Sequence, residues 1–151
     1  MGFLNRLFGK PPSPPPLPPL DDSVFGRLTW NSDSEGWTGS IVVGGKSALL
    51  YVGAGTESEY PSEEILHLLR EPYRNFEDIS RVALSYLFRH ADAAINQLGA
   101  KTGSFRVDAL ESYAHYVPEG TYTVTLSDGE SEVIWKVHFQ HLQPTDWGFD
   151  D

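Results

Sequence analysis

The sequence predicts an α+β fold, an antiparallel sheet of about six strands with two helices packed on one face, in the order βββααβββ. Two observations support this prediction. Apolar residues recur at helical spacing between Asn75 and Leu98, and short β-branched and aromatic runs that alternate with polar residues flank this segment on both sides. A helix with one apolar stripe needs a surface to pack on, and the flanking strands supply it.

The length and composition suit a single packed domain. The chain has 151 residues, of which 40% are hydrophobic, enough for one core of ordinary size. We expect a short amphipathic or disordered leader at residues 1–10, a Pro-rich linker at 11–22, the α+β domain at 23–142 and an acidic, aromatic tail at 143–151. The chain contains no cysteine, which excludes disulfides, a thiolate nucleophile and sulfur-ligated zinc.

The charge of the chain is strongly acidic and unevenly distributed. The sequence holds 11 Lys and Arg against 21 Asp and Glu, a formal net charge of −10. Arg6 and Lys10 lie in the first twenty residues, which contain no acid, so residues 21–151 keep nine of the basic residues and carry a net charge of −12. Nucleic acid is a poor partner for such a surface, and a protein with a basic surface is a better one.

The N-terminal segment Gly2–Lys10 could form a short helix with Phe3, Leu4, Leu7 and Phe8 on one side. It could make a weak contact with a membrane or an assembly, but isolated helices shorter than about 12–15 residues are marginal in water, so an unstructured tail is the alternative. The sequence lacks the roughly 20 consecutive apolar residues of a membrane-spanning helix and the features of a secretory signal. We therefore expect a cytoplasmic protein.

The first half of the domain predicts a three-stranded meander. The strands are expected at Val24–Trp30, Trp37–Val43 and Ser47–Val52, and Gly44-Gly45 supplies a two-residue turn between the second and third. The loop Asn31–Gly36 begins like a calcium loop, but its twelfth position would be a valine where such a loop needs a bidentate Glu. We interpret it as a solvated hairpin loop and expect no metal or cofactor.

Two helices follow the meander. The first is expected at Ser62–Glu71 and ends because of Pro72, and the second spans Asn75–Leu98, with Asn75 as its N-cap. The apolar stripe of the second helix should pack on the sheet. We expect a single buried cluster that contains Ile41, Leu50, Val82, Leu87, Val124 and Trp135.

The second half returns to the alternation typical of strands. The first strand is expected from Phe105 through Tyr113 and His115 toward Val117, followed by strands at Thr121–Leu126 and Val133–Gln140. Asp128-Gly129 is a turn signal between the last two. The tail Pro144–Asp151, which holds Trp147 and Phe149, either folds back on the domain or extends into solvent.

Three short motifs resemble a known group of proteins. They are Phe25-Gly26-Arg27-Leu28-Thr29-Trp30, Gly36-Trp37-Thr38-Gly39 and Trp135-Lys136-Val137-His138-Phe139. Together they are similar to small acidic bacterial domains of unknown function that are found near contact-dependent toxin systems as candidate immunity proteins. The resemblance spans residues 24–142, leaves out the Pro-rich leader and brings no catalytic residues; it implies a domain that masks a toxin.

The sequence offers little for catalysis. His67 and His90 have no second ligand four residues on, and the sequence contains no nucleophile elbow, His-Glu-x-x-His motif or dinucleotide fingerprint. A cross-strand site made by His115, His138 and a carboxylate is an alternative that the sequence alone leaves open. We expect no catalytic residues and keep such an enzyme as the second alternative.

We therefore predict a non-enzymatic protein-binding domain, an immunity-type protein that docks an acidic surface on a basic partner. The alternative from another class is a cytoplasmic adaptor or structural protein tethered through Gly2–Lys10. The candidate partner-binding residues occupy the first and last hairpin loops and one flanking strand; they are Asp33, Glu35, Trp37, Asp128, Glu130 and Glu132.

Overall fold

The computed structural model describes residues 14–150 and has an α+β fold. Eight strands form one sheet, and their order across the sheet is their order in the chain. All neighbouring strands are antiparallel except the fourth and fifth, which are parallel. The elements are β1 Leu20–Asp22, β2 Gly26–Asn31, β3 Gly36–Val43, β4 Lys46–Gly53, α1 Glu63–Arg74, α2 Phe76–His90, α3 Asp92–Gln97, β5 Arg106–Tyr113, β6 Thr121–Ser127, β7 Ile134–Gln140 and β8 Gln143–Asp150, with short 3₁₀ helices at Thr102–Ser104 and Ala114–Glu119.

The α+β class is confirmed, and the sheet is larger than the predicted six strands. One added strand, β1, comes from the end of the Pro-rich stretch, and the other, β8, is the segment expected to be a tail. The parallel pair also departs from the expected antiparallel sheet. The helices between β4 and β5 carry the chain back to its starting end, as a crossover connection must before a parallel strand can pair.

The described part of the Pro-rich stretch lies against the domain. The backbone N–H of Leu17 donates to the Glu57 carbonyl at 2.8 Å, and the Tyr60 hydroxyl donates to the Pro18 carbonyl at 3.1 Å. Leu17 also packs on the hydrophobic core. Residues 14–19 are therefore attached to the globular unit, while the leader Gly2–Lys10 and the tether assigned to it lie outside the described residues.

The predicted helix Asn75–Leu98 is divided into α2 and α3 at Ala91, whose backbone leaves helical geometry at φ −108° and ψ 11°. The sequence contains no signal there, since neither Gly nor Pro is present in the segment. The buried side of α2 is also rotated from the predicted stripe. Ala83 and Leu87, which belong to that stripe, are fully buried as predicted, but Val82, also expected in the core, is 41% exposed and Ser80 is buried in addition.

Helix α1 runs through Pro72 for one more half turn, contrary to the prediction that Pro72 ends it. Proline near the end of a helix removes a single backbone donor, and Pro72 is buried. The Asn75 side chain makes no N-cap bond to α2; its amide instead donates to the Glu71 carbonyl at 2.9 Å. Asn75 therefore closes α1.

A β-bulge in β5 between Val107 and Ala109 changes which residues face the helices. With the extra residue at Asp108, both Val107 and Leu110 lie beside core residues of β6, although simple alternation would put them on opposite faces. The strand ends at Tyr113, and the expected extension toward Val117 is a 3₁₀ helix.

The two faces of the sheet differ in cover. The helices pack on one face, where Leu87 and Trp135 lie in one buried cluster, as predicted, together with Ile41, Leu50 and Val124. The opposite face, called the open face below, carries polar and aromatic side chains. Among residues 14–150 no helix has the length and apolar character required to cross a membrane.

Candidate functional site

A row of polar side chains crosses the centre of the open face. Side chains directly opposite each other on paired strands share a face of the sheet, and strands are spaced by about 4.8 Å. The register of β3 to β8 therefore places six side chains side by side. They are Thr38, Tyr51, Glu111, Thr123, His138 and Asp146.

A cleft of about 340 Å³ opens over this row. Its lining combines two carboxylates, two histidines, two tyrosines and a lysine. The lining residues are Glu111, Tyr113, His115, Tyr116, Thr123, Lys136, His138, Gly148, Phe149 and Asp150. Tyr51 extends the cleft toward β3, since its ring centroid lies 5.5 Å from that of Tyr113.

Two strand glycines form the floor under the tyrosine rings. A Cβ atom on Gly53 would lie 2.5 Å from Cδ1 of Tyr113, and one on Gly36 would overlap the Tyr51 ring. Neither glycine has a positive φ, so the space above it, rather than backbone conformation, is what requires glycine. Both rings are therefore held flat against the sheet.

Glu111 lies half-buried in the cleft, and it takes no part in the ion pairs found among the described residues. The Tyr113 hydroxyl donates to its Oε2 at 3.1 Å. Burial raises the pKa of Glu111, and the hydrogen bond from Tyr113 partly offsets this. Burial and the nearby carboxylate likewise raise the pKa of Tyr113. Lys136, the lysine of the cleft, pairs with Asp150 instead.

His138 occupies the middle of the same row. Its Nδ1 lies 2.9 Å from Thr123 Oγ1, and burial lowers its pKa although Asp146 across the strand acts in the opposite direction. A hydroxyl beside an imidazole resembles an activated nucleophile. Thr123, however, is only 2% exposed, so its oxygen is inaccessible to a substrate and the pair is structural.

The sequence-predicted pair His115 and His138 does line one cleft, with Glu111 and Asp150 as carboxylates. Within the range 14–150, no three His, Cys, Asp or Glu side chains are grouped closely enough to hold a metal ion.

The first hairpin loop adjoins the cleft. The Tyr51 hydroxyl donates to the Ser34 carbonyl at 2.8 Å, which fixes the loop to the edge of the open face. Asn31 Oδ1 accepts the backbone N–H groups of Asp33 and Ser34, an Asx turn. Burial raises the pKa of the Tyr51 phenol, and the charges of Glu111 and then Glu35 raise it further. The predicted residues Asp33 and Glu35 thus extend the cleft as an exposed acidic rim.

Trp37 has a different role from the one predicted. It is fully buried, with 0% exposure, and its Nε1 donates to the Glu59 carbonyl at 3.2 Å. Its ring packs against Trp30 and Tyr60 at centroid distances of 6.0 and 5.2 Å. An aromatic residue this deep cannot touch a partner, so Trp37 supports the strand next to the loop.

The last hairpin loop lies at the other end of the sheet. Strand β5 is parallel to β4, and β6 is antiparallel to both. The loop after β6 therefore lies at the end of the sheet where β4 begins, whereas Glu35 lies at the end where β4 finishes. Asp128 is buried and its carboxylate holds the turn. Glu130 pairs with Lys101 and Glu132 is exposed. The two predicted loops therefore do not form one surface.

Larger clefts lie elsewhere, and one of about 580 Å³ beside α1 is lined by the exposed residues Glu64, His67, Glu71 and His141. One of about 470 Å³ runs beside α2 and contains Arg81, Arg89 and the exposed Asp78. One of about 820 Å³ lies at the β1–β2 turn and is lined by no carboxylate or histidine. None of these larger clefts brings a half-buried carboxylate together with aromatic rings, as the cleft on the open face does.

The sequence contains a partial signal for the cleft. Tyr51, Glu111 and Tyr113 lie on predicted strands, but which side chains meet across a sheet depends on strand order and register, which the alternation of residues does not predict. Gly36 and Gly53 are the one local clue, because a glycine in a strand often marks close approach of another group.

Comparison of the chain with known protein families, with curated proteins and with solved structures gives no match.

Proposed function

We propose that this chain is a non-enzymatic protein-binding domain that docks a basic protein on the open face of its sheet. The observation that carries the proposal is the continuity of the first hairpin loop with the tyrosine-lined cleft. Asp33 and Glu35 form the exposed rim, Tyr51 joins the loop to the sheet, and Glu111 lies inside. On a chain of net charge −10, this surface suits a partner of opposite charge.

The composition of this surface supports recognition of a protein. Tyrosines provide large, rigid contact area with a polar end, and they are enriched at the centres of protein interfaces. Acidic residues at the rim steer a basic partner during encounter, which raises the association rate and makes it sensitive to salt. The cleft thus has the composition typical of a protein interface, with aromatic residues at its centre and charged residues at its rim.

The same site argues for binding over catalysis. The hydroxyl nearest an imidazole, that of Thr123, is buried, and the Lys136 ammonium is paired with Asp150. A catalyst needs an accessible nucleophile or proton donor within reach of substrate. The Thr123 hydroxyl and the Lys136 ammonium are therefore committed to contacts within the sheet.

We further propose that the partner is a toxin and that the domain is of the immunity type. This proposal is supported by the acidic docking face and by the resemblance of the hairpin and β7 motifs to candidate immunity proteins. The test is co-expression of this chain with the product of the adjacent gene. Protection of the cells and a complex recovered at low salt would support the proposal; full toxicity without any complex would overturn it.

A further inference from the structure

We propose that the cleft on the open face receives the guanidinium group of an arginine side chain carried by the basic partner. This inference rests on the proposed function, since it names the contact that would anchor such a partner. The part of the cleft that carries it consists of Glu111, Tyr51, Tyr113, His115 and Tyr116, called the tyrosine cage below.

The first argument is the carboxylate of Glu111. It is half-buried and lies outside the ion pairs of residues 14–150, with the Tyr113 hydroxyl as its hydrogen-bonded neighbour. A carboxylate withdrawn from water is costly unless it is paired, and it has about four acceptor positions. A guanidinium carries five N–H donors in a planar fork and forms strong, charge-assisted hydrogen bonds with carboxylates.

The second argument is the run of contacting aromatic rings that lies beside that carboxylate. The Tyr51 and Tyr113 centroids are 5.5 Å apart, those of Tyr113 and Tyr116 are 5.3 Å apart, and those of His115 and Tyr116 are 4.4 Å apart. The face of a tyrosine ring attracts a cation within about 6 Å of its centroid. Arginine suits such walls better than lysine, because its flat group also stacks on rings.

The third argument is the balance of the other charges in the cleft. Lys136 would repel an incoming cation, but it is paired with Asp150. Burial lowers the pKa of His138 and so favours its neutral form. Asp146 lies across the strand from His138 and adds a further negative charge. Among the residues that line the cleft, Glu111 is therefore the carboxylate that makes no ion pair within residues 14–150, although the charge of Lys136 also acts on it.

The fourth argument is that the cage is built to hold its shape. Gly36 and Gly53 leave the space in which the rings of Tyr51 and Tyr113 lie, and the Tyr51 hydroxyl is tied to the Ser34 carbonyl. A volume of about 340 Å³ is at the small end of ligand pockets. It accommodates one long side chain.

The experiment titrates the full chain with N-acetyl-arginine-N-methylamide and, as a neutral isostere, with the corresponding citrulline amide. The tyrosine ring signals are followed by NMR. We expect a saturable shift of Tyr51 and Tyr113 with arginine and none with citrulline. Glu111→Gln should weaken arginine binding about tenfold or more, because a charge-assisted bond is lost, and so should Tyr113→Leu, which removes a wall. Glu132→Gln, at the other end of the sheet, should leave binding unchanged.

Equal shifts with citrulline, or unchanged arginine binding in both cage variants, would overturn the inference. The basic partner separates the two proposals. If it binds wild type and Glu111→Gln equally, the cage is not the anchor, while the proposed function stands. If no basic partner binds but the arginine amide still saturates the tyrosine shifts, the proposed function fails and the preference of the cage for a guanidinium is supported.

Discussion

The ring of Tyr113 lies where the Cβ atom of any residue other than glycine would stand at Gly53, its directly paired neighbour on the parallel strand β4. The ring fills the gap left by the missing side chain and covers the strand backbone beneath it. This pairing joins β4 to β5 at the point where the parallel register ends. It also sets the position of the hydroxyl that bonds Glu111.

Gly53→Ala should therefore displace Tyr113 and destabilise the fold by about 1–3 kcal/mol, the range for overpacking a close contact. Urea unfolding followed by tryptophan fluorescence measures the change. Gly103→Ala is the matched control, because nothing lies within 4 Å of a Cβ atom at Gly103. Equal stability of the two variants would show that the ring moves aside freely.

Glu111→Gln should stabilise the fold at neutral pH while it weakens partner binding. Because burial raises the pKa of Glu111, the folded state binds the proton more tightly than the unfolded state, so ionisation above that pKa reduces stability. The groups that face the carboxyl are Tyr51, Tyr113, Thr125, Lys136 and Asp150.

The urea midpoint of Glu111→Gln should exceed that of wild type at pH 7, and the difference should shrink as the pH falls and Glu111 itself becomes protonated. Such a gain is the usual sign of a residue kept for function at the expense of stability. Asp33→Asn, at the exposed rim, should change stability by less than about 0.5 kcal/mol. A lower midpoint for Glu111→Gln would mean that the folded state favours the ionised carboxylate, the opposite of a raised pKa.

Charge reversal at the first loop should slow association with the basic partner. Asp33→Lys with Glu35→Lys removes negative charge beside the cage, whereas Glu130→Lys with Glu132→Lys makes the same change at the far end of the sheet. Stopped-flow association at low salt should be slowed about tenfold or more by the first pair, with less effect from the second, since steering acts through local potential. Equal slowing would indicate that only net charge matters.

The core could be predicted from sequence because burial follows periodicity. Spacing alone places Leu50, Leu87 and Trp135 correctly, whereas it misplaces Val82, since the helix turns a slightly different side to the sheet. The cage could not be predicted in this way. Tyr51 and Glu111 are 60 positions apart in the chain, and they meet because a parallel pairing brings β4 beside β5.

Leu87→Ala should destabilise the protein by about 2–5 kcal/mol, as expected for a buried leucine that leaves a cavity. Leu87 is fully buried, whereas Val82 is 41% exposed, so Val82→Ala should cost less than about 1 kcal/mol. Arg89→Ala, on the exposed side of α2, should cost less than about 0.5 kcal/mol. Urea unfolding of the three variants measures which side of α2 is buried. If Val82→Ala destabilised the protein as much as Leu87→Ala, Val82 would be buried in the core, as the sequence predicts.

Asp128 should contribute stability that depends on pH. Its Oδ1 accepts the Ser131 N–H at 2.9 Å, the Ser131 hydroxyl at 2.8 Å and the Glu130 N–H at 3.1 Å, and its Oδ2 accepts the Lys101 N–H at 3.2 Å. The backbone N–H of Ser131 and these other donors lower the pKa of Asp128 from 3.8 to about 2. The carboxylate thus caps the β6–β7 turn and ties it to the segment before β5.

A carboxyl whose pKa is lower in the folded state stabilises the protein above its unfolded pKa and loses that effect as the pH falls through the folded pKa. Asp128→Ala should therefore cost about 1–3 kcal/mol at pH 7, because partly buried N–H and O–H donors lose their acceptor. This loss of stability should become smaller between about pH 4 and pH 2, as wild-type Asp128 is protonated. The stability of Asp128→Asn, which keeps one acceptor oxygen, should lie between that of wild type and that of Asp128→Ala. Glu132→Ala is the control on the same loop. A deficit that stays constant down to pH 2 would mean that the space filled by Asp128, and not its charge, holds the turn.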